Sequence, residues 1–185
     1  MKKIVLVFGL ISGAILMLMM FAAIPLMKSG SFGKLEILGY STMVASFLMV
    51  FFGIRSYREN IGGGTISFGK ALQVGLLITL ISCVCYVIAW QIVYYNFTPD
   101  FLEKYGNYMI EKARAAGASP EELAAQREQI RSFKEWYANP LINVAFTLLE
   151  PLPVGLPMTL ISAAILRRKE PKRLQEESNM ATASH

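Results

Sequence analysis

Charged residues are scarce in this chain of 185 residues: Asp, Glu, Lys and Arg make up 17% of the sequence, and hydrophobic residues make up 54%. Soluble domains carry about a quarter charged residues. The mean hydropathy is +0.44. This composition argues against an ordinary soluble fold, and the positions of the few charges indicate the class of protein.

Four long windows are almost free of charge. Ile4–Met27, Ile37–Ile54 and Ala71–Phe97 contain no charged residue, and Leu141–Leu166 contains only Glu150. About 20 apolar residues in a helix cross a bilayer core of about 30 Å. The sequence therefore predicts an all-α polytopic membrane protein, an antiparallel bundle of four transmembrane helices. The spans lie at about residues 4–27, 35–54, 69–95 and 143–166 of one membrane domain, residues 1–169.

Histidine and cysteine are nearly absent. The single histidine, His185, is the last residue, and the two cysteines, Cys83 and Cys85, lie two positions apart in the third window. Side chains at that spacing on a helix point to different sides, so we expect no disulfide between them. The spacing also matches no zinc or redox motif. We predict no metal site and no cofactor.

Catalytic motifs are missing as well. The sequence contains no HExxH, no GxSxG and no pair of aspartates within the windows. Ser12, Ser46, Thr79 and Ser82 lie in predicted spans without a candidate base nearby, and such hydroxyls usually bond back to their own helix. We predict no catalytic residue and a protein that is not an enzyme.

The net charge of +5 comes from basic residues that lie next to the predicted spans and not on a soluble face. This pattern argues against a nucleic-acid partner and orients the chain in a bilayer. The positive-inside rule places both termini in the cytoplasm. The residues on that side are Lys2, Lys3, Arg55, Arg58, Lys70 and the cluster at 167–173.

The first window resembles a signal peptide because Lys2 and Lys3 precede it. Its apolar run is about twice the length of a signal core, so we interpret it as a transmembrane helix. Cleavage near Phe21-Ala22-Ala23 stays open as an alternative.

Residues 98–139 form the polar stretch between spans three and four. Thr98-Pro99 predicts the start of one helix and Gly117 its end, and the capping box Ser119–Glu122 predicts a second helix to about Ala138. Seven acidic and six basic residues nearly cancel here, as on a solvated surface. We predict an extracytoplasmic helical hairpin. Residues 170–185 lack apolar periodicity and are predicted to be a disordered cytoplasmic tail.

Three prolines follow the only carboxylate of the fourth window: Pro151, Pro153 and Pro157 come after Glu150. Each proline lacks a backbone N–H and crowds the carbonyl four residues earlier. Residues before proline favour extended geometry, which is expected for Glu150 and Leu152. The sequence predicts a helix that is broken or kinked beside an ionisable group.

Glu150 is predicted to lie in the outer third of the membrane, since about 20 residues separate the outer boundary from Arg167. Gln91, Tyr94 and Glu36 occur at the same level, with Lys28 or Lys34 from the link between the first two spans. A cluster of these groups would form a polar cavity, with Glu150, Gln91, Tyr94 and Glu36 as its candidate residues. Glu150 would then bind a proton, a cation or a polar solute. Alternatively, a hydrogen bond from Gln91 or Tyr94, or the N-terminal dipole of the half-helix after the break, gives it a purely structural role.

Gly9 and Gly13 form a small-xxx-small pattern in the first span. Such a pattern lets another helix approach closely, although glycines are also simply common in membrane helices. It is one place for a partner chain to dock. The predicted partners are membrane lipids and either a second copy of this chain or another membrane protein.

Three segments resemble a family of bacterial four-span membrane proteins catalogued as domain of unknown function 4199. They are IRSYRENIGGGTISFGKALQVGLLITLI at Ile54–Ile81, the polar insert ending in WYANP, and EPLPVGLPMTLISAAILRRK at Glu150–Lys169. The resemblance covers nearly the whole chain except the tail. It implies a four-span protein of the bacterial inner membrane and supplies no catalytic residue.

The sequence alone favours a non-catalytic membrane accessory or scaffold protein that self-associates. The alternative is a small carrier, proton-linked or specific for a polar solute, that uses Glu150 beside the proline break. Four spans are few for alternating access, so a carrier of this size would be a homo-oligomer.

Overall fold

The structure is a computed structural model that describes residues 1–168, and eight α-helices account for most of that range. Within these residues no β-strand occurs, and Ile66 and Arg168 form one isolated bridge. The all-α prediction is confirmed for this part of the chain. The predicted tail at 170–185 lies outside the described residues. The helices are α1 (Lys2–Ala22), α2 (Ile24–Ser29), α3 (Phe32–Asn60), α4 (Phe68–Asn96), α5 (Phe101–Ala115), α6 (Pro120–Tyr137), α7 (Pro140–Leu149) and α8 (Leu152–Leu166).

Four helical stretches of the described chain are long and apolar enough to cross a membrane. Two are the single helices α3 and α4, and two are composite: α1 with α2 covers Lys2–Ser29, and α7 with α8 covers Pro140–Leu166. Fewer than half of the residues in each apolar window are buried. Outward-facing Leu18, Ile37 and Ile165 are about two-thirds exposed, as expected for side chains that face lipid.

Helices α1, α3, α4 and α8 form the densely packed part of the molecule. Helix α1 packs against α3 and α4, and α8 packs against the same two helices. Glycines allow these contacts: a Cβ atom on Gly9 would lie 2.8 Å from Ile81 Cβ, and one on Gly75 would lie 2.7 Å from Thr159 Cγ2. Small residues let membrane helices approach closely in this way. We call this region, with Gly9, Gly13, Gly75 and Gly155 at its helix contacts, the glycine-packed half.

Buried hydroxyls link the helices of the glycine-packed half. Ser12 Oγ and Ser46 Oγ lie 2.8 Å apart between α1 and α3, and Ser46 Oγ also donates to the Ser12 carbonyl at 2.7 Å. Thr79 and Thr159 pair across α4 and α8 at 2.9 Å. Of the four hydroxyls considered as catalytic candidates, Ser82 bonds back to Ile78 on its own helix, at 2.9 Å. The others join neighbouring helices.

The polar stretch begins later than the sequence predicts. Thr98 is not an N-cap: its buried Oγ1 donates back to the Val93 carbonyl at the end of α4, 3.3 Å away. Asp100 occupies the N-cap position, and α5 starts at Phe101. The Thr98 carbonyl accepts from Phe101 N at 3.0 Å in a turn that precedes α5, so the helix starts after this turn and not at Pro99.

The start of α6 agrees with its predicted capping box. Glu122 N donates to Ser119 Oγ at 3.2 Å, and Ser119 N donates to Glu122 Oε2 at 2.7 Å. Gly117, the predicted stop of the preceding helix, has a φ of +88°, which favours glycine. Helices α5 and α6 then pack against each other, and Gly106 contacts Ile130.

Candidate functional site

The fourth apolar stretch is interrupted beside Glu150. Helix α7 ends at Leu149 and α8 begins at Leu152. Pro151 has no N–H to offer the Thr147 carbonyl, whereas its own carbonyl accepts from Gly155 N at 2.9 Å and so starts α8. Pro153 falls in the first turn of α8, and Pro157 lies inside that helix without ending it. Of the three prolines, only Pro151 coincides with the interruption.

The expected extended geometry at Glu150 and Leu152 is wrong. Glu150 has φ −58° and ψ −47°, and its N–H donates to the Phe146 carbonyl at 3.1 Å, as in a helix. Leu152 is the first residue of α8. The preference of residues before proline for extended backbone is a steric bias that a kinked helix can override. The distortion falls on Pro151 itself, with φ −79° and ψ −11°.

The interruption changes the neighbours of the fourth stretch. Helix α8 packs against α3 and α4, whereas α7 packs against α4 and α6. A cavity of about 580 Å³ lies where α7 diverges, at the end of the bundle that also carries α5 and α6. We call it the Glu150 cavity. Its walls come from all of α1 to α7.

The four residues predicted to form a polar cavity are split by the structure. Glu150 and Glu36 both line the Glu150 cavity, and Glu150 is exposed within it. Gln91 and Tyr94 are not among its lining residues. Gln91 Nε2 donates to Asn143 Oδ1 at 2.7 Å, and the Tyr94 ring packs against Trp90, with ring centroids 5.6 Å apart. Neither Gln91 nor Tyr94 therefore forms the hydrogen bond to Glu150 that a purely structural role predicted.

Helix rotation explains this division. Tyr86 and Trp90, four residues apart on α4, point to the cavity, and residues four apart share a helix face. Gln91 is rotated about 100° from Trp90 on a helix of 3.6 residues per turn, so it faces α7. Counting residues predicts a level along a span, but the rotation of α4 about its axis was not available from the sequence.

Eight aromatic side chains line the cavity, and they were not predicted from the sequence. They come from α3, α4, α5, α6 and α7, which explains why no local pattern brings them together. The signals that were present are the i, i+4 pair of Tyr86 and Trp90 and the apolar stripes of the two polar-stretch helices. The aromatic lining residues are Tyr40, Tyr86, Trp90, Phe101, Tyr105, Phe133, Tyr137 and Phe146.

A hydrogen-bonded chain supports one side of the cavity. Trp90 Nε1 donates to Tyr137 OH at 2.7 Å, and Tyr137 OH lies 3.3 Å from Thr147 Oγ1. Thr147 Oγ1 donates to the Asn143 carbonyl at 2.8 Å. Burial raises the pKa of Tyr137, so its phenol stays neutral and keeps its proton for a hydrogen bond. These bonds hold α6 and α7 on α4.

Asn143 is buried at the centre of this support. Its Oδ1 accepts from Gln91, whereas its Nδ2 has no partner among the described residues. A buried polar side chain in a membrane helix is usually bonded to a neighbouring helix. Asn143 is the only Asn in the fourth window, and this was the signal that sequence reasoning left unused.

The charges of the Glu150 cavity have one sign. Glu36 and Glu150 are its charged lining residues, and none of the described lining residues is Lys or Arg. Lys112 on α5 approaches Glu36 at 3.5 Å from outside the lining, and this carboxylate raises the pKa of Lys112. Within residues 1–168, Glu150 forms no ion pair.

Gly9 and Gly13 do not line this cavity. They face Ile81 and Cys85 of α4, so within the described chain their close approach is intramolecular. In the same residues 1–168, no group of three or more His, Cys, Asp or Glu side chains is placed to hold a metal ion.

The fold and the cavity define an all-helical protein with four candidate membrane-spanning helices and an acidic, aromatic-lined cavity beside an interrupted span. The chain belongs to the family described as "Protein of unknown function (DUF4199)", whose profile matches residues 7–168. The resemblance noted in the sequence is thereby confirmed. No curated protein and no solved structure matches the chain in these comparisons.

Proposed function

We propose that this protein is a small solute carrier of the bacterial inner membrane that binds its ligand in the Glu150 cavity. The observation that supports this most directly is a cavity of about 580 Å³, beside an interrupted span, with a carboxylate on its wall that forms no ion pair within residues 1–168. Ligand cavities of proteins have volumes of about 300–1,000 Å³. Interrupted helices with freed backbone groups are also typical of transporter sites.

Glu150 has two roles in this proposal. As a carboxylate it attracts a cationic or polar solute, and as a carboxylic acid it carries a proton, so solute and proton compete for one group. An ionisable residue inside a membrane protein is a functional candidate because keeping it there is costly. The Thr147 carbonyl, which Pro151 leaves without an amide partner, is a second acceptor at the same place.

The proposed topology places both termini in the cytoplasm and the α5–α6 hairpin outside. The basic residues beside the spans favour this orientation. The helix contacts suit an antiparallel bundle: Gly9 meets Ile81 and Gly13 meets Cys85, so α1 and α4 run in the same direction. A topology reporter fused after Ala116 must register outside the cytoplasm, and a cytoplasmic signal overturns the orientation.

The accessory or scaffold role remains the competing prediction, and the two roles differ in whether the cavity is occupied. Native mass spectrometry of the protein extracted in mild detergent reads bound small molecules, stoichiometry and co-purifying chains together. A carrier is expected to be a homo-oligomer with a non-lipid adduct. A second polypeptide, or an oligomer that carries lipid alone, favours the accessory role.

Cavity filling provides the matched comparison. Gly39 lines the cavity, and a Cβ atom there meets nothing within 4 Å, so Gly39→Phe is expected to fill the cavity without a clash. Gly69, at the start of α4, also has open space and lies outside the lining, which makes Gly69→Phe the control. The adduct should disappear in Gly39→Phe and persist in Gly69→Phe.

Glu150→Gln tests the carboxylate separately. This isosteric change should abolish transport and leave folding nearly intact, because it keeps the shape and removes only the charge. Loss of the folded protein in this variant would instead favour a structural role for Glu150.

A further inference from the structure

We infer that the ligand of the Glu150 cavity is an organic cation with an apolar body, such as a quaternary ammonium or phosphonium compound. This inference rests on the proposed function, because it names the chemical class that the same cavity would take. It is carried by the charges, the aromatic walls and the volume of the cavity together.

Charge complementarity is the first argument. Glu36 and Glu150 line the cavity without a basic lining residue among those described. Glu36 has Lys112 at 3.5 Å, whereas Glu150 has no ion pair within residues 1–168. A carboxylate attracts a cation and repels an anion. The cavity therefore selects against anionic ligands.

The aromatic walls extend this preference to organic cations. Tyr40, Tyr86, Trp90 and Tyr105 line the same cavity as the carboxylates. A cation over the face of Trp or Tyr is attracted by the ring quadrupole, and quaternary ammonium ligands are bound in aromatic cages of this kind. The edge of the cavity region already contains one such contact, with Lys112 Nζ 5.5 Å from the centroid of the Tyr108 ring.

The remaining walls suit an apolar body and not an inorganic ion. Four methionines, Met19, Met20, Met27 and Met43, line the cavity. Methionine is flexible and adapts to irregular ligand shapes. Inorganic divalent cations require several converging oxygen ligands, and residues 1–168 hold no group of three or more acidic or other metal-ligating side chains placed to bind one. The cavity thus matches a bulky cation in both charge and surface.

Trp90 offers a reporter at the site itself. The chain has two tryptophans, and the other one, Trp136, is 63% exposed on α6 and does not line the cavity. In a Trp136→Phe background, the fluorescence of Trp90 therefore reports occupancy of the Glu150 cavity.

The experiment compares two ions of opposite charge and similar size, tetraphenylphosphonium and tetraphenylborate. Each is titrated into the Trp136→Phe protein in phosphatidylglycerol nanodiscs, which bring no ammonium headgroup, with empty nanodiscs as the partitioning control. We expect saturable quenching of Trp90 by the phosphonium ion, lost in Gly39→Phe and retained in Gly69→Phe. Glu150→Gln should weaken this binding about 10- to 100-fold.

The controls keep the charge argument testable even if Glu150→Gln fails to fold. Glu36→Gln should weaken phosphonium binding less, because Lys112 already offsets that carboxylate. Glu128→Gln, an exposed carboxylate on α6 that does not line the cavity, should leave it unchanged. Phosphonium binding that survives the loss of both cavity carboxylates would overturn the inference.

The outcomes separate this inference from the proposed function. Equal binding of tetraphenylborate, sensitive to Gly39→Phe, would overturn the cation class and leave a ligand cavity standing. If neither ion gives a signal sensitive to Gly39→Phe, the cation inference is wrong, and the native adduct still decides whether the cavity binds a solute. Displacement of the phosphonium ion by added phosphatidylethanolamine would assign the ammonium group to lipid and overturn a free organic cation.

Discussion

The glycine-packed half and the Glu150 cavity share the four apolar stretches, to which α5 and α6 are added at the cavity, yet the packing of the two regions is opposite. In the glycine-packed half, Gly75 would place a Cβ atom 2.7 Å from Thr159, so no space is left. At the cavity, Gly39 would place one with nothing within 4 Å. The same residue type thus marks closest contact at one end and open space at the other.

The fourth stretch accounts for the difference. After the interruption, α8 packs against both α3 and α4, where glycines and hydroxyl pairs form the closest contacts. Before the interruption, α7 packs against α4 and α6. This leaves a space next to α3 that large aromatic side chains line but do not fill. The interruption at Pro151 therefore separates a densely packed side of the molecule from an open one.

The largest expected effect is on the dense side of this comparison. Gly75→Leu forces a side chain onto Thr159, Ile54 and Val50, and overpacking of this kind costs about 1–3 kcal/mol. Gly39→Leu enters open space and should leave stability nearly unchanged. Unfolding in detergent, followed by circular dichroism, measures both. Equal destabilisation by the two variants would break the comparison.

Tyr137→Phe tests whether the hydrogen bond between Trp90 and Tyr137 stabilises the protein. It removes the acceptor of the buried Trp90 Nε1–H, at 2.7 Å, and should destabilise by about 1 kcal/mol, less than full burial would cost because cavity water can reach Trp90. Tyr40→Phe, on the same cavity but 63% exposed, is the control and should cost little. A neutral Tyr137→Phe would mean that the bond does not hold α6 on α4.

A smaller effect is expected for the hydroxyl pairs of the glycine-packed half. Thr79→Val breaks the 2.9 Å contact with Thr159 and should cost about 0.6 kcal/mol, the average for hydrogen bonds between membrane helices. A double-mutant cycle with Thr159→Val isolates the pair. A coupling near zero would assign the stability of this half to glycine packing alone.

The smallest expected effect is the loss of the α6 capping box in acid. The Ser119 backbone N–H holds the pKa of Glu122 below its ordinary value of 4.5. Because the pKa is lowered in the folded state, the capping box stabilises α6 above the ordinary pKa, and this contribution is lost as pH falls through the lowered value.

Hydrogen exchange at pH 6 and pH 3.5, corrected for intrinsic rates, measures this loss. Protection at the start of α6 should fall in acid, whereas α1 in the glycine-packed half should not respond. Glu122→Gln should remove the acid response, and Glu128→Gln should keep it. An equal acid response in α1 would show that pH acts on the whole bundle and not on the cap.

The features of the site that depend on neighbouring residues could be predicted from the sequence. Glu150 stands out as the only carboxylate of its window, and Pro151 follows it directly, so a break beside a charge was predictable from adjacent residues. The backbone angles of Glu150 were not, because the bias before proline is weaker than the hydrogen bond from Glu150 N to Phe146. Thr98 is not the cap because a turn, closed by the hydrogen bond from Phe101 N to the Thr98 carbonyl, separates it from the start of α5.

Gln91 and Tyr94 were predicted to line the cavity and do not, for a different reason. Counting residues from the charged end of a span gives depth in a membrane, and depth alone made both residues candidates. Which side of α4 faces the cavity depends on packing against α1, α3, α7 and α8 together. That information is spread over residues far apart in the chain.

The sequence by itself determined the all-helical class, the four apolar stretches, the capping box at Ser119 and the family, because hydropathy, helix caps and motifs are properties of neighbouring residues. Only the tertiary structure decided which faces meet, that Gly9 and Gly13 contact α4, and that aromatic residues of five helices surround Glu36 and Glu150. These features depend on the rotation and divergence of whole helices, and long-range packing sets both.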